Sequence, residues 1–212
     1  MDRRQVLTGS AVRTPRSVSK GPDYYTNAVL RTHDNKEVRF YDDLIKDKHV
    51  VVNFMYTQCE GACPLTTANL LKVQKRLGDR VGRDIFMYSI TLKPWQDDPA
   101  ALAEYVKMHN VGPGWTFLTG DQFDLDTIRF RMFRWDHPGL DFNIEQHTGM
   151  IRVINDPIDR WSMCPTNAKV DMLVKSISWV EPTKPFKVRQ EEVLARQALI
   201  DAQGVLAYNS TI

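Results

Sequence analysis

Short apolar segments alternate with segments of helical periodicity through the middle of this chain, and that alternation most restricts its fold. The apolar segments are rich in β-branched and aromatic residues and lie at 49–56, 84–92, 112–120 and 150–156. The helix-like segments lie at 64–77, 98–110 and 124–135. Strands and helices that alternate at these lengths predict an α/β fold, with a central mixed β-sheet flanked by helices.

The two ends of the chain differ in composition from this middle part. Residues 1–22 are predicted to form a flexible basic tail, because they carry five basic residues against one acid and lack apolar periodicity. Residues 23–182 are predicted to form the α/β domain, which opens with a β-hairpin over 27–45. Residues 183–212 are predicted to form a C-terminal helical extension with one apolar stripe.

Composition excludes several classes of protein. With 10% aromatic residues among 212, the chain is not a disordered one, and its net charge of +2 gives no reason to expect a nucleic-acid partner. Three cysteines cannot build a disulfide-stapled scaffold, and Cys164 has no obvious partner. No segment approaches the roughly 18 apolar residues of a membrane-spanning helix. We therefore expect a globular domain stabilised by its core.

The other two cysteines, Cys59 and Cys63, lie in FMYTQCEGACP, where a strand-like segment gives way to a helix-like one. Pro64 suits the first turn of that helix, because its missing N–H would be unpaired there. The dipole and free amides of a helix N-terminus stabilise a thiolate. The spacing also allows a disulfide. The layout is suggestive of thioredoxin, whose motif has two intervening residues rather than three, but pattern alone does not choose between redox and metal chemistry.

A metal site needs more than these two thiolates. Zinc and iron–sulfur sites usually take four protein ligands, whereas two thiolates with one imidazole would suit copper. The candidate imidazoles belong to His33, His49, His109, His137 and His147. His147 is the best placed, because the loop before the later central strand of a thioredoxin-like sheet faces the cysteine-bearing helix. His49 and His137 are interpreted as structural.

Four ordered segments resemble the Sco/SenC family. They are FMYTQCEGACP, YSITLKPWQDDPAALAEYV, VGPGWTFLTG and QHTGMIRV, and the resemblance covers about residues 24–182. It implies a thioredoxin-like copper protein, exported or tethered to a membrane, that helps assemble cytochrome c oxidase. Its copper ligands would be Cys59, Cys63 and His147, and the two cysteines could also cycle between dithiol and disulfide.

The sequence departs from the family pattern at two places. Many members have a proline directly after the first cysteine, where this chain has Glu60, and an aspartate where this chain has Lys93. These departures leave open whether copper is bound differently or passed to another acceptor. The segment around Cys164 and the C-terminal extension have no counterpart that can be placed.

Two functions follow as expectations. The first is a copper metallochaperone that delivers Cu(I) or Cu(II) to the copper A centre of cytochrome c oxidase subunit II or a similar cuproprotein. The second is an exported thiol–disulfide oxidoreductase in which Cys59 attacks a partner disulfide. A peroxide-reducing thiol enzyme fits less well, because Thr57 is one residue too close to Cys59. A binding module with inert thiols is the remaining alternative.

The N-terminal residues bear on localisation. Arg3 and Arg4 begin the chain like a twin-arginine export leader, but the apolar stretch that such a leader needs does not follow. Because both favoured functions resemble those of exported proteins, we expect a periplasmic or membrane-associated bacterial protein whose leader is incomplete in this sequence.

Overall fold

The computed structural model describes residues 20–59, 63–133 and 149–182. Its helices are α1 (Gly21–Tyr25), α2 (Cys63–Leu77), α3 (Pro99–Met108), α4 (Gln122–Phe133) and α5 (Val170–Trp179). Its strands are β1 (Val29–Thr32), β2 (Glu37–Arg39), β3 (His49–Met55), β4 (Ile85–Thr91), β5 (Trp115–Gly120), β6 (Met150–Asn155) and β7 (Arg160–Pro165). The predicted tail up to residue 19, the predicted extension from residue 183, His137 and His147 all lie outside the described residues. Gly21 and Pro22, which were also predicted to belong to the tail, begin α1.

The seven strands form one mixed sheet in the order β2-β1-β5-β4-β3-β6-β7. Strands β3, β4 and β5 are parallel neighbours, whereas β6 runs antiparallel to β3 and pairs with β7 on its other side. The β1–β2 hairpin joins the sheet by antiparallel pairing of β1 with β5. The predicted mixed sheet and N-terminal β-hairpin are thus confirmed, but the hairpin is shorter than predicted. It ends at Arg39, and Phe40–Ile45 form a π-helix at whose start the Asp43 carboxylate accepts a hydrogen bond from the Arg39 N–H.

The centre of the sheet is deeply buried. Every residue of β3 is buried, and six of the seven in β4 are. Such strands are covered on both faces, which is why they read in the sequence as continuous apolar runs rather than as alternating ones. Helices α3 and α4 contact β5, and α5 contacts both α2 and β7. No helix in the described residues combines the length and the apolar character that a membrane crossing requires.

The helix boundaries follow local sequence signals. Asp98 caps α3 by accepting a hydrogen bond from the backbone N–H of Ala101 at 2.8 Å, and Pro99 opens the helix, as predicted. Helix α2 ends at Leu77, directly before Gly78, whose φ of 56° suits a residue without a Cβ atom.

Strand β7 and helix α5 were not predicted. Both have exposed apolar residues that obscure the periodicity: Trp161 on β7 is 47% exposed, and Met172 and Trp179 on α5 are 58% and 73% exposed. The buried face of α5, formed by Leu173 and Ile177, is correspondingly narrow.

Candidate metal and redox site

The two cysteines of the FMYTQCEGACP segment flank the junction between β3 and α2. Cys59 follows the end of β3 at Met55, and Cys63 is the first residue of α2. This is the strand-to-helix placement that the sequence predicts. At this end of the sheet β3 and β4 stop together, because Met55 pairs with Thr91.

Strand β6 begins at the same end of the sheet. Because β6 is antiparallel to β3 and Val52 pairs with Arg152, the start of β6 at Met150 lies beside the end of β3. The predicted third ligand, His147, precedes Met150 by three positions in the sequence. The topology therefore brings the chain back, at Gly149, to the end of the sheet that carries the cysteines.

The Cys59 side chain is largely shielded from solvent, with 8% of its surface exposed. Tyr56, three residues earlier, is 7% exposed, and the Lys93 Nζ atom lies 3.9 Å from the centre of its ring. Lys93, one of the two residues that depart from the family pattern, thus places a positive charge beside the segment that leads to Cys59. A cation over a tyrosine face is held there by the ring quadrupole.

A buried carboxylate holds the segment before Cys59. Asp97 is fully buried and accepts hydrogen bonds from the Thr57 N–H at 3.1 Å and from the Thr57 hydroxyl at 2.5 Å. It also accepts one from the Thr91 hydroxyl, at the end of β4, at 2.5 Å. The Asp97 N–H in turn donates to the Lys93 carbonyl at 2.9 Å. These bonds join the cysteine segment to the turn that follows β4.

The N-terminus of α2 favours thiolate chemistry. Its first turn contains no acidic residue, so the partial positive charge of the helix dipole is not offset there by a carboxylate. Pro64 is the second residue of α2, where a backbone N–H would have no partner within the helix, so its missing N–H costs no helical hydrogen bond. Helix N-termini in general stabilise thiolates, which are the form that attacks disulfides and ligates metals.

A polar cluster joins α2 to the start of β6. The Thr66 hydroxyl donates to the Thr166 hydroxyl at 2.9 Å, and the Asn69 side-chain amide donates to the Thr166 carbonyl at 2.9 Å. The Thr166 N–H and hydroxyl both donate to the Gly149 carbonyl, at 2.7 and 3.0 Å. Thr66, Asn69 and Thr166 are all buried.

The histidines in the described part of the chain have structural contacts elsewhere. The His33 Nδ1 atom accepts a hydrogen bond from the Phe117 N–H at 3.2 Å, and the His109 ring lies 4.2 Å from that of Tyr105. His49 is buried at the first residue of β3, where desolvation lowers its pKa. Within residues 20–59, 63–133 and 149–182, no three His, Cys, Asp or Glu side chains converge as a metal site. The metal site of Cys59, Cys63 and His147 stays a prediction.

Cys164 lies on β7, where it pairs with Ile151 of β6. It is 5% exposed, and burial raises the pKa of its thiol. A buried thiol of this kind is chemically inert.

Sequence reasoning missed Asp97 and Thr166. Asp97 directly precedes Asp98, the N-cap of α3, and the sequence pattern gave a role to Asp98 alone. The Thr166 hydroxyl bonds that of Thr66, which lies 100 positions away in the sequence, and no local sequence pattern predicts a contact at such a separation.

Comparison with known proteins gives a consistent family. The sequence model of the SCO1/SenC family matches residues 25–180. A protein named SCO1 protein homolog from Bacillus subtilis (strain 168) is 25% identical over 128 residues, which are 59% of this chain and 62% of that protein. The match therefore spans about three fifths of that relative's length.

Two solved structures show the same fold. A SCO1/SenC family lipoprotein from Bacillus anthracis str. Ames is 23% identical, with a TM-score of 0.59 over 72% of this chain and 91% of that one. The ScoI protein of Bradyrhizobium japonicum, solved with copper bound, is 21% identical, with a TM-score of 0.56 over 73% and 97% of the two chains. These likenesses confirm the predicted thioredoxin-like fold. The family match, which spans most of the chain, shows that this protein belongs to the SCO1/SenC family.

Proposed function

We propose that this protein is a copper-binding member of its family, in which the thiolates of Cys59 and Cys63 and the imidazole of His147 hold Cu(I) or Cu(II). The observation that carries the proposal is the common location of three chain segments. Cys59 follows β3, Cys63 opens α2, and Gly149, two residues after His147, is tied to α2 through Thr166. A related protein, ScoI of Bradyrhizobium japonicum, was solved with copper bound.

The residues fit the chemistry of copper. Thiolates are soft ligands that select Cu(I), and imidazole suits copper in either oxidation state. The helix N-terminus lowers the cost of keeping two thiols deprotonated beside each other. Copper supplies no bond-making step here; it is the cargo, and a site with three protein ligands leaves it open to capture by a partner.

The proposed partner is the copper A centre of cytochrome c oxidase subunit II or a similar cuproprotein. Exchange with a disulfide of a partner protein would oxidise the Cys59 and Cys63 thiolates to a disulfide and pass two electrons to the partner's sulfurs, which leave as thiolates. Both thiolate ligands would be lost, so the exchange would also release the metal. We place the protein outside the cytoplasm of a bacterium. The similarity to the SCO1/SenC family lipoprotein of Bacillus anthracis supports that location, because bacterial lipoproteins are exported.

A second candidate function is thiol–disulfide exchange with a partner protein. The position of Cys63 at the N-terminus of α2 favours it, because thiolates there are stabilised. The burial of Cys59 weighs against the expected role of that thiol as the attacking one, since an attacking thiolate must be accessible. Neither function requires the other to be absent.

Copper titration separates these functions. The reduced protein is titrated anaerobically with Cu(I) against a chromophoric chelator, and with Cu(II) by visible absorption. We expect one copper per chain, lost in Cys59→Ser/Cys63→Ser. His147→Ala should weaken binding by more than the about 10–100-fold that loss of a supporting hydrogen bond costs.

The matched control is His109→Ala, which removes an imidazole that stacks on Tyr105 and should leave copper binding unchanged. Wild-type affinity in His147→Ala would contradict the three-ligand site. Insulin-disulfide reduction by the copper-free protein, together with absence of tight copper binding, would favour the oxidoreductase.

A further inference from the structure

Thr166 makes hydrogen bonds through all of its polar groups. Its N–H and its hydroxyl both reach the Gly149 carbonyl, at 2.7 and 3.0 Å. Its hydroxyl also accepts from the Thr66 hydroxyl at 2.9 Å, and its carbonyl accepts from the Asn69 side chain at 2.9 Å. With 4% of its surface exposed, Thr166 is a buried connection between three chain segments.

The segments that it connects belong to the proposed copper site. Thr66 and Asn69 lie three and six residues after Cys63, so they occupy the first two turns of the helix that Cys63 opens. Gly149 lies two residues after His147. Thr166 therefore links the cysteine helix to Gly149 in two ways, through its hydroxyl and through its backbone carbonyl and N–H.

The sheet does not provide this connection by itself. Strand β6 is paired with β3 only from Arg152 to Asn155, so the ladder stops before the start of β6. The first two residues of β6 pair instead with the end of β7, as Met150 with Pro165 and Ile151 with Cys164. Gly149 is consequently held by the residue that follows β7, which is Thr166.

We infer that Thr166 is a positioning residue, which fixes Gly149 against α2 and so sets the separation between the dithiol of Cys59 and Cys63 and the imidazole of His147. This inference rests on the proposed function and deepens it. A metal site loses affinity when a ligand is displaced by a fraction of an ångström, so the bonds that support a ligand also contribute to metal affinity. Buried hydroxyls that bond to each other hold one geometry, because an unpaired one is unfavourable.

The test compares Thr166→Val, which keeps the shape and removes the hydroxyl, with Thr166→Ser, which keeps the hydroxyl. Ser162→Ala is the matched control. Ser162 lies on β7, the strand that ends directly before Thr166, and its hydroxyl bonds Ser176 of α5 at 2.9 Å, so its loss breaks a nearby hydroxyl bond to a different helix. Thr166→Val should weaken Cu(I) binding, by less than the about 10–100-fold that loss of a bond to a ligand itself costs, because the Thr166 N–H still bonds Gly149. It should also change the Cu(II) electron paramagnetic resonance spectrum. Thr166→Ser and Ser162→Ala should retain the wild-type spectrum.

Two further measurements separate positioning from a general loss of structure. In a His147→Ala background, Thr166→Val should have no additional effect on copper affinity, because it acts through the imidazole. In the copper-free protein, Thr166→Val should accelerate hydrogen exchange at residues 149–151 and leave β3 protected. If Thr166→Val fails to fold, Thr66→Val removes the same hydroxyl bond from the α2 side.

The outcomes distinguish the inference from the proposed function. Wild-type copper affinity in Thr166→Val, an equal loss in the His147→Ala background, or unchanged exchange at 149–151 would overturn the positioning role alone. Absence of copper binding by the wild-type protein would overturn the proposed function and the positioning role together.

Discussion

Asp97 and Thr57 are joined by two hydrogen bonds, one from the Thr57 backbone N–H and one from its hydroxyl, to the two oxygens of a fully buried carboxylate. Thr57 precedes Cys59 by two residues, and Asp97 lies in the turn after β4. The buried carboxylate therefore fixes the backbone that leads to the first cysteine, and it does so from a different strand end. Its retention in the core is explained by this bonding, since an unpaired buried carboxylate is strongly unfavourable.

Replacement of Asp97 should destabilise the fold and release the cysteine segment. Asp97→Ala leaves the Thr57 N–H and two threonine hydroxyls without their acceptor, so we expect the free energy of unfolding to fall by about 2–4 kcal/mol. Urea unfolding measures this change, and mass spectrometry measures faster alkylation of Cys59. The control is Asp98→Ala, which removes only the α3 cap and should cost about 1 kcal/mol. Equal losses in the two variants would contradict the anchoring role of Asp97.

Lys93 should stabilise the Tyr56 ring through its charge. Lys93→Met keeps the aliphatic chain and removes the ammonium that lies 3.9 Å from the ring centre, so we expect a loss of about 0.5–1 kcal/mol. Lys93→Asp, which restores the residue usual in the family, should cost more, because a carboxylate is repelled by the negative face of the ring. Urea unfolding of both Lys93 variants, in the wild-type and in a Tyr56→Leu background, measures these losses of stability. The losses should be smaller in the Tyr56→Leu background, and equal losses would show that the ring is not involved.

His49 should make stability depend on pH in the weakly acidic range. Burial lowers the pKa of His49 below its ordinary value of 6.5; the nearby Glu181 carboxylate opposes this shift and Arg80 adds to it. The unfolded chain therefore takes up a proton at His49 before the folded chain does. By linkage, stability falls as pH decreases below about 6.5 and levels off below the folded pKa. Urea midpoints of the copper-free protein between pH 7.5 and 5 should show this decline, and His49→Gln should flatten it. An identical decline in His49→Gln would assign it to other groups.

Cys164 should take no part in copper binding. Its thiol is 5% exposed and its pKa is raised by burial, so both access and thiolate formation are unfavourable. Cys164→Ala should keep the wild-type copper stoichiometry. Iodoacetamide should modify Cys164 only in the unfolded protein, as read by peptide mass spectrometry. A reduced copper content in Cys164→Ala would show that the third cysteine contributes to the site.

The parts of the fold that could be predicted are those with a local cause. Strand β3 was recognisable because burial on both faces requires an unbroken apolar run. Helix α3 was recognisable because Asp98 and Pro99 form its start. Helix α5 was not, since exposed Trp179 and Met172 interrupt its polar face.

The candidate site divides in the same way. The cysteine pair and its location at the start of α2 could be predicted from one short segment of sequence. The sheet topology places the start of β6 at the same end of the sheet, as predicted. The supports, Asp97 and Thr166, could not be predicted. They act on residues 40 and 100 positions away, respectively, and such distant pairings are fixed by tertiary structure alone.

The antiparallel pairing of β6 with β3 has a consequence for how the protein is made. The two strands lie side by side, yet roughly 100 residues separate their first positions in the chain. A ribosome that adds about 5–20 residues per second needs roughly 5–20 s to cover that interval. During this time both cysteines have been synthesised, while the strand that follows His147 has not, and one edge of β3 has no neighbour. The three proposed copper ligands would therefore be present together only after His147 has been added, and β3 needs protection from aggregation until β6 arrives.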